Sequence, residues 1–187
     1  MELVLTDRSQ EIYEFVTTIL QEQDGWIVCG LMDKAGPKGQ LRYQKDFKYP
    51  EGVEDLVEWA TSHQAQDVYM SPIVYGNMRK TNADGSTSIR RIPENAISAQ
   101  VVYQDSDLCP PEKFRLTPSI HVDSSAGKGQ DYWVLMEPVA AEDAANASRR
   151  IAVAHKQDGS DPSSWSSNKF LRLLGTNPRH GFPEEVQ

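Results

Sequence analysis

A chain of 187 residues with 39% hydrophobic side chains and a net charge of −8 has the composition of one good-sized globular domain or of two closely packed lobes. No apolar run approaches the roughly 18 residues a membrane span requires, and Met1-Glu2-Leu3 does not start a signal peptide, so a cytoplasmic protein with no membrane partner is expected. The acidic balance excludes a general nucleic-acid coat, whose binding rests on cation–phosphate contacts.

Asp7 or Ser9 can cap a first helix running to about residue 22, with Ile12, Phe15, Val16, Ile19 and Leu20 on one stripe. Gly25 stops it. Residues 26–32 read as a buried strand, and residues 36–39 as a turn. Residues 41–47 alternate as a second strand paired with the first. Residues 52–64 give another helix with Val53, Leu56, Val57, Trp59 and Ala60 inward. Residues 67–75 form a strand that Pro72 interrupts. Residues 76–96, with Asn82-Ala83-Asp84-Gly85, read as a polar, partly mobile excursion. A strand then runs from Ala99 into Asp105-Ser106-Asp107, and a Pro110-Pro111 loop leads to a strand over 119–125. The tight turn Ala126-Gly127-Lys128-Gly129 follows, then a strand over 130–136. Pro138 opens an Ala-rich helix to about residue 154, and residues 168–174 precede the turn Gly175-Thr176-Asn177-Pro178. The pattern is α+β, with mainly antiparallel strands in the second half.

Asp105 and Asp107 are the most informative residues. Alternate side chains on a strand share a face about 6.5 to 7 Å apart, and like charges so placed cost energy unless a cation lies between them. Oxygen-only ligands of this kind suit Mg²⁺ or Mn²⁺. Cys29 and Cys109 show no CxxC or Cys/His cluster, so neither a zinc site nor a disulfide framework is expected. Within residues 149–181, Arg149, Arg150, Lys156, Lys169, Arg172 and Arg179 outnumber Asp158 and Asp161, a locally basic stretch suited to a phosphate ligand or to a solvated surface.

Three clusters follow in order: Asp105 with Asp107, then Ser125-Ala126-Gly127-Lys128-Gly129-Gln130-Asp131-Tyr132-Trp133, then Asp161 with Arg172-Leu173-Leu174-Gly175-Thr176. This order resembles the archaeo-eukaryotic primase superfamily, specifically the primase–polymerase domains of phage and plasmid replication proteins. That family has a strand ending in Asp-x-Asp or Asp-x-Glu, a Ser- and Gly-rich hairpin ending in His, and a later lone Asp. In this branch an Arg-x-x-Gly-Thr-x-Asn-like segment follows. The similarity spans about residues 65–180. One departure is that the hairpin His falls on Gln130, with Asp131 the alternative if the loop shifts by one residue. His121 competes for the role, because it shares a face with Asp123 and Ser125.

The resemblance implies one catalytic domain over residues 1–187, with an N-terminal α/β lobe over about 1–95 and a catalytic lobe over about 96–187. The second lobe would carry a sheet like that of an RNA-recognition motif. It implies nucleotidyl transfer from NTPs or dNTPs, making primers on a single-stranded DNA template. Asp105, Asp107 and Asp161 would hold two divalent ions, Mg²⁺ or Mn²⁺. Ser125, Gly127, Lys128, Gly129, Gln130, Arg172 and His121 would receive the triphosphate, since cationic and N–H donors must face the metals. Gly127-Lys128-Gly129 is not a P-loop, because no Gly lies five residues before Lys128 and no Ser or Thr follows it. With no Walker motif, a helicase is expected on another chain or beyond Gln187, and the chain reads as the N-terminal part of a larger replication protein. Two other readings are a non-catalytic single-strand-binding module, which calls for aromatics where the Asp pair stands, and a metal-dependent nicking nuclease. His63, His121, His155 and His180 lack the HxH spacing that such nucleases use.

Overall fold

The structure, a computed structural model, describes residues 7–33, 40–125 and 127–174. Helix α1 (Asp7–Leu20) buries Ile12, Phe15, Val16, Ile19 and Leu20, the residues that the 3.6 period gathers on one stripe. Strand β1 (Gly25–Asp33) pairs antiparallel with β2 (Gln40–Tyr49), from Gly25 opposite Tyr49 to Asp33 opposite Gln40. Helix α2 (Val53–Ser62) turns Val53, Leu56, Val57, Trp59 and Ala60 inward. The turn read at residues 36–39 lies outside the described residues.

Pro72 does more than end a strand. It divides residues 68–75 into β3 (Val68–Met70) and β4 (Val74–Tyr75), both of which pair with β1 on the edge opposite β2. The outer edge of β3 then receives β10 (Leu171–Arg172), whereas the outer edge of β4 receives β7 (Ala96–Asp107). The sheet therefore forks at Pro72, where proline has no N–H to give to a ladder. Beyond β7 lie β9 (Lys128–Ala140) and the edge strand β8 (Ile120–Ser125), and the order of the main path is β10-β3-β1-β4-β7-β9-β8. β10, from the second half of the chain, pairs with β3 of the first. One apolar cluster runs through both halves, from Ile12 and Val57 to Val122 and Leu173.

Two local expectations are corrected. Residues 76–96, read as a polar, partly mobile excursion, contain a regular hairpin, β5 (Arg79–Thr81) with β6 (Thr87–Ile89). Gly85 takes φ +83° at its turn, Asp84 accepts the Ser86 N–H, and Gln44 donates to Ile89 O, so β2 anchors the hairpin. Pro138 does not open a helix. Strand β9 continues to Ala140, and α3 (Ala141–Ala154) starts after it. Pro138 falls in the irregular stretch between the Val101–Val134 and Ala99–Val139 pairs, where its missing N–H interrupts no ladder bond.

Because β4 is only two residues long, no strand among the described residues pairs with the β7 edge from Tyr103 to Asp107. Side chains and a loop complete it. Ser148 Oγ on α3 accepts the Tyr103 N–H at 3.1 Å, and Ser164 Oγ accepts the Asp105 N–H at 3.3 Å. Asp161 N–H donates to Asp105 O at 3.2 Å, and Leu108 N–H to Gly159 O at 3.3 Å. The chain after α3 thus enters the fork. Tyr75 and Tyr103 hold its next stretch with hydroxyls donating to Ser167 O and Ser166 O.

A candidate metal and nucleotide site in the fork of the sheet

The end of β7 is shaped by a bulge. Asp105 stands opposite Gln130 and Asp107 opposite Gly129, so Ser106 is an extra residue and Asp107 turns into the left-handed region at φ 50°. Ser106 reaches Asp131 on the face opposite Asp105, and the Asp107 charge acts on Asp105, so the two carboxylates stay near one another across the bulge. Both remain close enough for their charges to act on Lys128, whose ammonium donates to Asp107 Oδ1 at 2.8 Å and is held more basic than usual by that bond.

Asp161 comes to Asp105 through the loop that completes the β7 edge. The two carboxylates share one ammonium: Lys169 Nζ lies 3.3 Å from Asp105 Oδ2 and 3.7 Å from Asp161 Oδ2. Burial pushes the Asp105 carboxyl upward, Lys169 opposes that, and the Asp107 charge adds to it. Burial acts in the same direction on Asp161. There the Ser163 N–H and hydroxyl, together with Lys169, prevail and bring the carboxyl below the ordinary range. Among the described residues, Asp105, Asp107 and Asp161 do not gather their oxygens within 4.8 Å of one another; each faces a lysine instead.

Gln104 organises the loop from beneath. Its side chain is fully buried, and its Nε2 lies 2.7 Å from Ser160 Oγ, 2.6 Å from Ser164 Oγ and 3.0 Å from Asp161 O. Arg172 projects from β10 on the other arm of the fork. Nη1 donates to Ser124 O at 2.9 Å and lies 3.9 Å from Asp67 Oδ1, while the guanidinium stands 5.7 Å from the Tyr69 ring centre. Arg172 therefore joins the two ends of the strand order, β10 and β8.

Of the hairpin residues, Gly127 takes φ +69° with open space around it, as a tight turn requires. Ser125 ends β8, and its side chain lies outside the described set. Gln130 is buried and accepts the Tyr132 hydroxyl at 3.5 Å, and Asp131 is fully buried between His121 and Ser106. His121 Nδ1 lies 2.8 Å from Asp131 Oδ1 and Nε2 lies 3.4 Å from Asp123 Oδ1, with the ring against Gly129. Its side chain is 32% exposed, so of the three candidates for the hairpin donor only His121 opens to solvent. The register aligns it with Asp131 and Gln104, on the face opposite Asp105. Lys169 and Gln104 were missed by sequence reasoning. Lys169 was visible there only as one cation of a basic stretch, and Gln104 as a polar residue inside an apolar strand.

No family model and no curated protein matches the chain. Solved structures do. The catalytic domain of primase RepB′ in complex with initiator DNA matches with a TM-score of 0.59 at 18% identity, over 92% of this chain and 79% of that one. A structure of primase RepB′ matches with the same score and identity, over 92% of this chain and 52% of that one. The archaeo-eukaryotic primase domain of the cyanophage S-2L primase–polymerase matches with a TM-score of 0.59 at 13% identity, over 92% of this chain and 85% of that one. The forked antiparallel sheet with its packed helices is thus the fold of archaeo-eukaryotic primase–polymerase domains.

Proposed function

We propose that the chain is a divalent-metal-dependent primase–polymerase domain that joins NTPs or dNTPs into primers on single-stranded DNA. The observation that carries this reading is the pair Asp105 and Asp161, brought from distant parts of the chain to a shared cation in the fork of a primase fold. The donor set fits the metals that the fold implies. All three candidate ligands are carboxylates, and the Lys169 and Lys128 ammoniums occupy positions of positive charge that Mg²⁺ or Mn²⁺ would supply. Bound there by Asp105, Asp107 and Asp161, the ions would activate a primer hydroxyl and neutralise the triphosphate.

The protein's own groups do the rest. Lys169 and Lys128 neutralise the carboxylates before substrate arrives and can then turn to phosphate oxygens. Gly127 and Gly129 give a close backbone approach at the hairpin, and Arg172 offers a planar fork of donors. Among Gln130, Asp131 and His121, only His121 has a partly open side chain, oriented by Asp131, and only Gln130 shares the face of Asp105, so the donor role falls to one of these two. A helicase, on another chain or a further segment, and a setting in phage or plasmid replication in the cytoplasm complete the proposal.

The decisive test is primer synthesis on circular single-stranded DNA with Mg²⁺ or Mn²⁺, comparing wild type with the Asp105→Ala/Asp107→Ala double variant. Removing several kcal/mol of charge stabilisation predicts a loss of at least about 100-fold. Persisting synthesis in the double variant would reject the metal assignment.

A further inference from the structure

A second, chemically different ligand set lies behind the fork. Cys109 Sγ, a His155 ring nitrogen and an Asp158 carboxylate oxygen all fall within 4.8 Å of one another. Sequence spacing argued against zinc because Cys109 has no nearby cysteine or histidine in the chain; folding brings the end of α3 to it across more than forty residues. We infer that Cys109, His155 and Asp158 form a binding site for a zinc-like divalent ion, separate from the carboxylates of the fork.

The donor chemistry selects the metal class. One sulfur, one imidazole nitrogen and one carboxylate oxygen match the ligands of Zn²⁺, and a thiolate disfavours Mg²⁺. Bond lengths of about 2.0 to 2.3 Å place tetrahedral ligands roughly 3.3 to 3.8 Å apart. His155 Nδ1 and Asp158 Oδ2 now share a hydrogen bond at 2.9 Å, so the pair must open by less than an ångström while the sulfur closes in. The metal would take the place of that shared proton and of the thiol proton, and binding would release them. A water can complete the coordination.

The frame is rigid before any metal binds. Leu108 N–H donates to Gly159 O, and Cys109 N–H donates to Ser106 O at 2.8 Å. Gly159 adopts φ +107°, and a Cβ there would lie 3.0 Å from Leu108 C and 3.2 Å from Cys109 N, so the two segments pack backbone to backbone. Phe114 packs edge-on against the His155 ring, with centroids 4.9 Å apart. Cys109 follows Asp107 by two residues and Asp158 precedes Asp161 by three. A metal held here would therefore fasten the loop carrying Asp161 to the strand carrying Asp105.

The test is metal content and spectroscopy on the whole chain, in excess Mg²⁺ so that the fork carboxylates do not compete. Protein produced with zinc and dialysed against zinc-free buffer containing excess Mg²⁺ should retain about one equivalent of zinc by mass spectrometry. The Co²⁺-substituted form should show a sulfur-to-cobalt charge-transfer band and the visible bands of a tetrahedral ion. Cys109→Ser should abolish the charge-transfer band. His155→Ala and Asp158→Asn should weaken zinc binding by about tenfold or more while keeping it. Wild-type protein that retains no zinc and gives a Co²⁺ spectrum without a sulfur band overturns the inference, and so does a band that survives Cys109→Ser. The wild-type measurement decides even if Cys109→Ser fails to fold. Neither readout depends on primer synthesis.

Discussion

Lys169→Met removes the ammonium between Asp105 and Asp161 while keeping an unbranched stem of similar length. Each contact, at 3.3 and 3.7 Å, is worth roughly 4 to 5 kcal/mol of gross attraction at an effective dielectric of about 20. The three side chains are 21 to 26% exposed, and desolvation and solvent screening cancel much of that attraction, leaving a net loss of about 2 kcal/mol. For a domain of this size the melting temperature in EDTA should fall by about 4 to 8 °C. Mn²⁺ reverses the order of effects. An ion at 100 times its dissociation constant adds about 2.7 kcal/mol, and in the variant it meets two carboxylates with no ammonium to displace. Thermal melts in EDTA and in a Mn²⁺ series should therefore show a larger Mn²⁺-induced rise for Lys169→Met than for wild type. Adding Asp105→Asn to the variant should remove that rise. Equal Mn²⁺ responses in wild type and Lys169→Met would refute the idea that Lys169 stands in the cation position.

Gln104→Leu should cost about 1 to 2 kcal/mol in urea unfolding, because Ser160, Ser164 and the Asp161 carbonyl lose a shared donor. The figure stays low because the buried Gln104 Oε1 lacks a hydrogen-bond partner, and its removal offsets part of the loss. The same variant should bind Mn²⁺ more weakly, and unchanged stability with unchanged Mn²⁺ affinity would show that Gln104 does not hold the loop. Gly129→Ala places a Cβ 2.3 Å from His121 Cε1, so the ring must leave Asp131, at a cost of about 1 to 3 kcal/mol. Triphosphate affinity, measured by titration calorimetry, should fall several-fold; wild-type affinity with a displaced ring would remove His121 from the site.

Local periodicity made most elements readable. The stripe of α1, the inward face of α2 and the alternation of β2 are short-range patterns set by burial on one side. Pro72 was legible as an interruption, since proline cannot donate wherever it stands. The β5–β6 hairpin was not, because Arg79-Lys80-Thr81 has no apolar face and is held by its turn and by Gln44 from another strand. Pro138 misled for a related reason. Proline favours a helix start locally, but pairing of Val139 and Ala140 with Ala99 and Ser98 across the sheet outweighed that preference.

By itself the sequence determined that acidic residues end a buried strand, that a glycine turn with one lysine follows, and that a third Asp lies far downstream near a basic stretch. These are properties of neighbours along the chain, where period and turn chemistry act. Tertiary structure alone decided which cations meet those acids, because Lys169 reaches Asp105 only after the sheet forks and the loop fills an edge that β4 is too short to cover. It also decided the bulge at Ser106 and the meeting of Cys109 with His155 and Asp158. Such encounters depend on strand register and on contacts across many residues, and no periodicity in a linear chain encodes them.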